Sequence, residues 1–260
     1  MSNINKIAIS LLITALFANG TSIDQKYYKL TDAEQTKNML LSMFSSGDLV
    51  FDVGANKGFK TREYLACGAR VVCVEPQPVC VNILYEKYGN NEDVAIEPVG
   101  LADKEGVLKM YHPHHHDSSV LATFSKDWVD EGRFSHLNWE EGVEVEVTTL
   151  ENIVKKYGIP QFCKIDVEDF EHEVLLGLQT PIPYVSFECH HETMDKSRRC
   201  IDRLIELGYK SFNIAIATSD RFWFDQWVPA EDFYKALEDI DAMDWSVIKK
   251  LWGDIYASYE

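Results

Sequence analysis

The sequence is short of positive charge. Its 260 residues hold 25 lysines and arginines against 42 aspartates and glutamates, which gives a formal net charge of -17. The basic residues form no run longer than pairs such as Lys155-Lys156 and Arg198-Arg199. Because a surface of this sign repels phosphate backbones, we expect the protein not to act on nucleic acid.

Paired cysteine motifs are also missing. The 6 cysteines form no Cys-x-x-Cys pair, and Cys73, Cys163 and Cys189 lie within apolar, strand-like runs. This pattern is typical of buried free thiols rather than of a disulfide framework or a zinc site. A chain of this length does not need disulfides to hold its core, and free thiols favour the cytoplasm.

A long hydrophobic run is absent as well. The most apolar stretch, residues 7–18, follows Lys6 and is shorter than the roughly 20 apolar residues that a membrane span needs. Ala18-Asn19-Gly20 resembles a small-residue cleavage site. Residues 1–22 are therefore either a signal peptide or anchor, or an N-terminal helix packed on the domain. Membrane contact is expected only through residues 1–20, and export stays open beside a cytoplasmic location.

The sequence does contain an alternation of apolar, strand-like runs with helix-like ones. This alternation predicts one α/β domain over residues 23–260, with a mostly parallel central sheet and helices on both faces. A leading helix is expected within residues 23–46, and a helical tail within residues 230–260. The predicted strands are residues 49–52, 70–75, 94–101, 107–111, 143–149, 162–169, 184–191, 210–217 and 221–227.

The first strand ends in an acid and passes into a glycine-rich turn. Asp52 is followed by Gly54-Ala55-Asn56-Lys57-Gly58, and glycine suits a sharp turn or a backbone that lies against a ligand. The second strand ends in Glu75-Pro76, about 20 residues beyond the first glycine. At this separation a second strand presents its carboxylate to ribose hydroxyls. The two strand ends together predict a nucleoside-bearing ligand.

The composition of the turn separates two ligand classes. A dinucleotide site needs Gly-x-Gly-x-x-Gly, since the middle glycine lets the backbone meet a pyrophosphate. Asn56 stands at that position, and no third glycine follows near Lys60. S-adenosylmethionine has a ribose for Glu75 and no phosphate, and its sulfonium and ammonium groups favour carboxylates such as Asp52 and Asp166. The sequence thus favours S-adenosylmethionine, and Asn56 opposes an NAD-linked enzyme.

Three stretches of the chain carry a resemblance to a known family. They are residues 51–58, residues 74–76 and, above all, residues 164–178, which begin Lys-Ile-Asp-Val-Glu-Asp-Phe-Glu. From about Asp48 to Glu188 the chain resembles the FkbM-type S-adenosylmethionine-dependent methyltransferases. The resemblance implies a Rossmann-like class I methyltransferase fold and O-methylation of a hydroxyl on a sugar or another small natural product. Asp169 stands where this family usually has glycine, and it is tolerated if its backbone is not forced to positive φ.

The predicted site residues lie near the carboxyl ends of strands, where open α/β sheets bind ligands. Methylation of an alcohol needs a base, and the unperturbed pKa of histidine, near 6.5, makes His190 the most suitable one. The alternative for His190 is a capping or core role, while Glu188 and Asp166 alternatively hold substrate hydroxyls or the cofactor's amino group. The predicted cofactor-binding residues are Asp52, Gly54, Asn56, Gly58, Thr61, Glu75, Pro76, Leu101 and Asp166, and the catalytic candidates are Asp166, Glu168, Glu188 and His190.

The least regular part of the chain is residues 112–142. Its start, His112-Pro113-His114-His115-His116-Asp117, has side chains that bind transition metals. A loop held by Pro113 does not force these ligands to converge, and no partner motif follows, so no metal site is assigned. We expect residues 112–142 to form a polar loop or a lid over a small hydroxylated acceptor. A non-catalytic protein that keeps the fold and binds a partner through its acidic tail remains the competing class.

Overall fold

A computed structural model describes residues 33–114, 118–216, 221–241 and 252–259. The possible signal or anchor, residues 1–22, and the start of the leading helix lie outside these ranges. So do His115, His116 and Asp117 of the histidine-rich stretch. Within the described ranges, no helix has both the length and the apolar character needed to cross a membrane.

The described elements alternate between strands and helices along most of the chain. The strands are β1 Leu49–Val53, β2 Arg70–Val74, β3 Val94–Glu97, β4 Gly100–Leu101, β5 Gly106–Pro113, β6 Trp139–Thr148, β7 Phe162–Ile165, β8 Tyr184–His190, β9 Ser211–Ile216, β10 Val228–Pro229 and β11 Trp252–Ser258. The helices are α1 Ala33–Leu41, α2 Phe59–Ala66, α3 Pro78–Tyr88, α4 Lys126–Glu131, α5 Leu150–Tyr157, α6 Glu171–Leu176, α7 Met194–Glu206 and α8 Ala230–Asp241.

Eight strands form the central sheet, in the order β10-β9-β11-β8-β7-β1-β2-β3. β1 pairs in parallel with β2 and β7, β2 pairs in parallel with β3, and β7 with β8. β11 is antiparallel to both β8 and β9. The chain runs outward from β1 to β3 and later returns to β7, on the other side of β1. This reversal of strand order places a ligand-binding crevice outside the carboxyl ends of β1 and β7.

Helices cover both faces of the sheet, as predicted. Successive side chains of a strand point to opposite faces. Phe51 and Val53 of β1 pack in a core with residues of α5, α6, α7 and α8, whereas Val50 packs with residues of α1, α2 and α3. The free-thiol prediction is also confirmed, since all of the cysteines are buried and unpaired.

The predicted helical tail is wrong in its second half. α8 occupies residues 230–241, but residues 252–258 form β11, a strand with partners on both sides. Hydrogen bonding to two neighbouring strands overrides the weak local preference of this segment. The predicted strand at residues 221–227 is also wrong, because in this region only Val228–Pro229 pairs with β9.

Two predicted strands are shorter than expected. β7 ends at Ile165, since Glu168 and Asp169 have positive φ values of 55° and 72°. The strand predicted at residues 94–101 is split into β3 and β4, and Pro98 lies in the break. β4 joins a separate sheet of the order β4-β6-β5.

Residues 112–142 are more regular than predicted. β5 extends to Pro113, and β6 begins at Trp139 opposite it. The segment between them, residues 118–138, is called the β5–β6 insert below. It contains a short 3-10 helix at Ser118–Leu121 and the helix α4, whose first turn is capped by Ser125. The insert therefore has its own secondary structure, and its predicted function as a lid stays a prediction.

Candidate active site

The carboxyl ends of β1, β2 and β7 are joined by backbone hydrogen bonds. The N–H groups of Gly54 and Ala55 donate to the carbonyl oxygen of Val74 at 2.9 and 3.2 Å, and the N–H of Asp166 donates to Val53 O at 3.0 Å. Two turns therefore emerge side by side at the switch point of the sheet. They are the glycine turn, residues 54–58, and the acidic turn, residues 166–169.

The glycine turn owes its shape to three residues with positive φ. The φ values are 78° at Gly54, 48° at Asn56 and 77° at Gly58. A Cβ atom on Gly54 would lie 1.8 Å from the carbonyl oxygen of Asp166, and one on Gly58 would lie 2.6 Å from the ring of Tyr88. Both glycines are thus required by the backbone conformation and by close packing within the protein.

Glu75 closes the glycine turn from the end of β2. Its Oε2 accepts a hydrogen bond from Asn56 N and its Oε1 accepts one from Gln77 N, both at 2.8 Å. The residue is only 2% exposed, and this burial raises the pKa of its carboxyl group to about 7 in spite of both hydrogen bonds. Pro76 is half-buried beside it. The Gln77 side chain donates a third hydrogen bond to Glu75, so one of the four acceptor positions of the carboxylate remains for a ligand hydroxyl.

Asp52 and Thr61 are used within the protein. Thr61 Oγ1 donates to Asp52 Oδ2 at 2.5 Å, and both residues are buried. Burial raises the pKa of Asp52 to about 6, against the opposing effects of Thr61 and Lys164. This hydrogen bond ties α2 to β1 behind the glycine turn. Leu101 is likewise buried, in the core beside Leu150. Contact of these residues with the cofactor stays a prediction.

A buried lysine organises the neighbouring acids. The strand register aligns Lys164 of β7 with Asp52 of β1 and Ser186 of β8, on one face of the sheet. Lys164 Nζ lies 2.7 Å from Asp254 Oδ1 and 3.1 Å from Asp166 Oδ2. Burial disfavours the charge on this lysine, but Asp166 and Asp254 outweigh it and raise the Lys164 pKa well above its usual range. Asp254 was missed in the sequence because it lies in β11, which was predicted to be helical.

Lys164 also determines the ionisation of Asp166. Burial favours the protonated form of this aspartate, but the charge of Lys164 and hydrogen bonds from Lys164 and Glu188 outweigh it and lower the Asp166 pKa. The Asp166 side chain is 37% exposed. It is therefore an ionised carboxylate that solvent can reach.

The acidic turn contains no glycine, although two of its residues have positive φ. The condition under which Asp169 was expected to be tolerated, a backbone without positive φ, is not met, since its φ is 72° and that of Glu168 is 55°. Such a conformation costs about 1–3 kcal/mol for a residue with a side chain and persists only where surrounding contacts enforce it.

Those contacts come mainly from the β5–β6 insert. Thr123 Oγ1 donates to the carbonyl oxygen of Glu168 at 2.5 Å, and Ser125 Oγ donates to Asp169 Oδ2 at 2.6 Å. Lys196 of α7 forms a salt bridge with the same carboxylate. Thr123, Ser125 and Asp169 are all buried. Sequence reasoning identified the insert as a candidate lid, but not these side chains.

Glu168, Glu188 and His190 converge beside the acidic turn. One oxygen or nitrogen atom of each lies within 4.8 Å of those of the other two. Glu188 and His190 are two residues apart in β8 and therefore share a face of the sheet. His190 also contacts Trp128 of the insert, with ring centroids 4.8 Å apart. The structure thus brings the predicted catalytic residues together.

Burial dominates the ionisation of this cluster. It raises the pKa values of Glu168 and Glu188 well above their usual range, and repulsion from Asp166 adds to both shifts. Burial, helped by Arg133, lowers the pKa of His190 to about 4. His190 is therefore neutral near pH 7 and a weaker base than its unperturbed pKa suggested.

Solved structures with a similar fold include several methyltransferases. A precorrin-6y C5,15-methyltransferase from Geobacter metallireducens GS-15 is 10% identical, with a TM-score of 0.44, over 88% of this chain and 86% of that one. A putative RNA methyltransferase from Pyrococcus horikoshii is 13% identical, with a TM-score of 0.43, over 96% of each chain. An S-adenosylmethionine-dependent O-methyltransferase from Thermotoga maritima is 12% identical, with a TM-score of 0.38, over 95% of this chain and 70% of that one.

These likenesses are too distant to carry an argument about the methyl acceptor. The expectation that the protein does not act on nucleic acid therefore stays a prediction. Among curated proteins, none matches this chain.

The family itself is shown by a sequence model. The model of the methyltransferase FkbM domain matches residues 52–211, which include both turns and all of the predicted catalytic residues. This match removes the NAD-linked alternative. The chain belongs to the FkbM methyltransferase family, and the protein is an S-adenosylmethionine-dependent methyltransferase.

Proposed function

We propose that the protein methylates a hydroxyl oxygen of a small acceptor at the edge of the sheet between the glycine turn and the acidic turn. One observation carries the proposal. Asp166, Glu168, Glu188 and His190 are gathered at the carboxyl ends of β7 and β8, next to the turn that follows β1. Acids at such a position are suited to remove or hold the proton of an alcohol. The net charge of -17 supports an acceptor without a phosphate backbone.

The residues at this edge fit the chemistry of S-adenosylmethionine. The cofactor supplies an electrophilic methyl group on a positively charged sulfur. Glu75 has an acceptor position left for a ribose hydroxyl, and the surplus of carboxylates complements a cation. Since Glu75 is only 2% exposed, the glycine turn must open at the Asn56 hydrogen bond for the ribose to reach it.

Asp166 is the proposed acceptor of the alcohol proton. Its side chain is 37% exposed, against 11% for Glu188 and 8% for His190, so an acceptor reaches Asp166 first. Lys164 holds the Asp166 carboxylate in place from below, at 3.1 Å. His190, which the sequence favoured as the base, is enclosed by β8 and the insert. We therefore do not assign it the role of accepting the alcohol proton.

The test combines cofactor binding with methyl transfer. Calorimetric titration of S-adenosylmethionine should show weaker binding by Glu75→Ala and Asp52→Ala, and unchanged affinity in both variants would contradict the cofactor site. Methyl transfer to a panel of hydroxylated small molecules, followed by mass spectrometry, tests the acceptor. Asp166→Asn should lose most of kcat, whereas Glu173→Gln on α6 should behave as wild type. Tight cofactor binding without transfer to any hydroxyl would favour the non-catalytic alternative or another acceptor.

A further inference from the structure

The side chains of Glu168, Glu188 and His190 form a cluster, but His190 and Glu188 are not hydrogen-bonded to each other. His190 Nε2 and Glu188 Oε2 lie 3.7 Å apart, which is too far for a hydrogen bond. Two ligands of one tetrahedral ion with bonds near 2.1 Å are about 3.4 Å apart. The ligand atoms of all three residues lie within 4.8 Å of one another, so a small rotation of the side chains brings them to this separation.

A second observation points to a ligand here. The His190 side chain is only 8% exposed. Its Nε2 atom faces Glu188 Oε2, which is itself fully buried without a hydrogen-bond partner. Buried polar atoms are nearly always paired, so the unpaired Glu188 oxygen that faces His190 calls for an explanation.

The local charge agrees with a cation. Glu168 and Glu188 lie close to Asp166, and Lys164 is already shared between Asp166 and Asp254. The three carboxyl groups of Asp166, Glu168 and Glu188 repel one another here, and a bound cation would relieve this repulsion.

We propose that Glu168, Glu188 and His190 bind one divalent transition-metal ion. Two carboxylates and one imidazole suit Mn²⁺, Fe²⁺ or Zn²⁺ better than Ca²⁺ or Mg²⁺, which prefer oxygen ligands alone. Three protein ligands leave coordination positions open on the ion. An acceptor hydroxyl bound there has a lowered pKa and passes its proton to Asp166 more readily. This role in catalysis rests on the proposed function, whereas the ion site itself does not.

The insert is placed to hold the imidazole ligand. Trp128 packs on the His190 ring, and Arg133 of the insert forms a salt bridge with Glu192, just beyond β8. Thr123 fixes the backbone of Glu168 through its carbonyl oxygen. The insert thus orients two of the three ligands, as supporting residues commonly do around bound metals.

The test measures binding of Mn²⁺ alone to the full chain, stripped with EDTA and desalted. Electron paramagnetic resonance of unbound Mn²⁺ should show one ion bound per chain. Glu168→Gln, Glu188→Gln and His190→Asn should each weaken binding by about tenfold or more, since loss of a supporting residue alone costs that much. Glu173→Gln, a nearby acid outside the cluster, should bind as wild type. Circular dichroism melting confirms that each variant is folded.

Two results would overturn the ion site. One is the absence of stoichiometric Mn²⁺ binding to the folded wild type at millimolar concentration. The other is binding that survives in all three cluster variants or that is lost in His114→Ala, which would place the ion at the histidine-rich stretch.

A parallel titration with S-adenosylmethionine separates this inference from the proposed function. Mn²⁺ binding that depends on the cluster, in a protein that does not methylate hydroxyls, would support the ion site and overturn the proposed function. Methyl transfer that is unchanged in the presence of EDTA would support the proposed function and overturn the catalytic role of the ion.

Discussion

The glycine turn and the acidic turn both place residues at positive φ, but different contacts stabilise this conformation in each. Both leave a central parallel strand at the switch point, and both contain residues with positive φ. In the glycine turn, Gly54 and Gly58 adopt this conformation without a side-chain penalty. In the acidic turn, Glu168 and Asp169 adopt it with full side chains, and contacts from Thr123, Ser125 and Lys196 enforce it.

The two turns differ in how far away in the sequence the residues that determine them lie. The glycine turn is determined by its own residues and by Glu75, 19 positions away from Asn56. The acidic turn depends on partners 44 and 45 positions away in the insert. Because its residues at positive φ are acidic, the acidic turn presents carboxylates, which glycines at these positions would not. The glycine turn can therefore be predicted from the sequence, whereas the acidic turn can be explained only from the fold.

The largest expected effect is that of Gly54→Ala in the glycine turn. A Cβ there collides with a backbone oxygen at 1.8 Å and sits on a residue with φ of 78°, so we expect a loss of about 4 kcal/mol in the free energy of unfolding. Gly47→Ala is the matched control, because Gly47 has φ of 91° but nothing within 4 Å of the added Cβ. It should lose only about 1–2 kcal/mol. Equal losses in urea denaturation would contradict the packing argument.

A smaller effect is expected when Asp169 is replaced in the acidic turn. Asp169→Ala removes the contacts with Ser125 and Lys196 but keeps a side chain at positive φ, and should lose about 3 kcal/mol. Asp169→Gly removes the same contacts and relieves the backbone, so it should be more stable than Asp169→Ala by about 1 kcal/mol. Urea denaturation of both variants measures the two contributions. An alanine variant as stable as the glycine variant would show that the turn is not strained.

The smallest effect concerns the pH dependence of cofactor binding at the glycine turn. The pKa of Glu75 is raised to about 7, so this carboxyl group is mostly protonated below that pH. If ribose hydroxyls bind the ionised form, affinity for S-adenosylmethionine rises with pH and levels off above pH 7. At one pH unit below the pKa it should be about tenfold weaker than at the plateau. Calorimetry from pH 5.5 to 8.5 checks this, and Glu75→Gln should bind weakly with no such dependence.

The sequence predicted most of the parallel half of the sheet and its helices. The strands predicted at residues 49–52 and 70–75 match β1 and β2 to within one residue. The acids Asp52 and Glu75 were correctly placed at strand ends, since a buried strand shows as a short apolar run.

The failures of prediction share a physical cause. The strand character of residues 252–258, the contact of Asp254 with Lys164 and the support of Asp169 all depend on pairing between distant parts of the chain. The amino-acid composition of each segment does not indicate such pairing. The convergence of Glu168 with His190 was missed as a possible metal site for the same reason, because Glu168 lies in the acidic turn and His190 in β8.

The position of β11 has a consequence for the order in which the protein folds during its synthesis. β11 is made after every other described element, yet it lies between β8 and β9 and supplies Asp254, one of the two carboxylates beside Lys164. Until β11 emerges, β8 and β9 have no strand between them and Lys164 lacks the Asp254 partner. The nascent chain is therefore able to form the glycine turn early, but it completes this edge of the sheet only after β11 has been made.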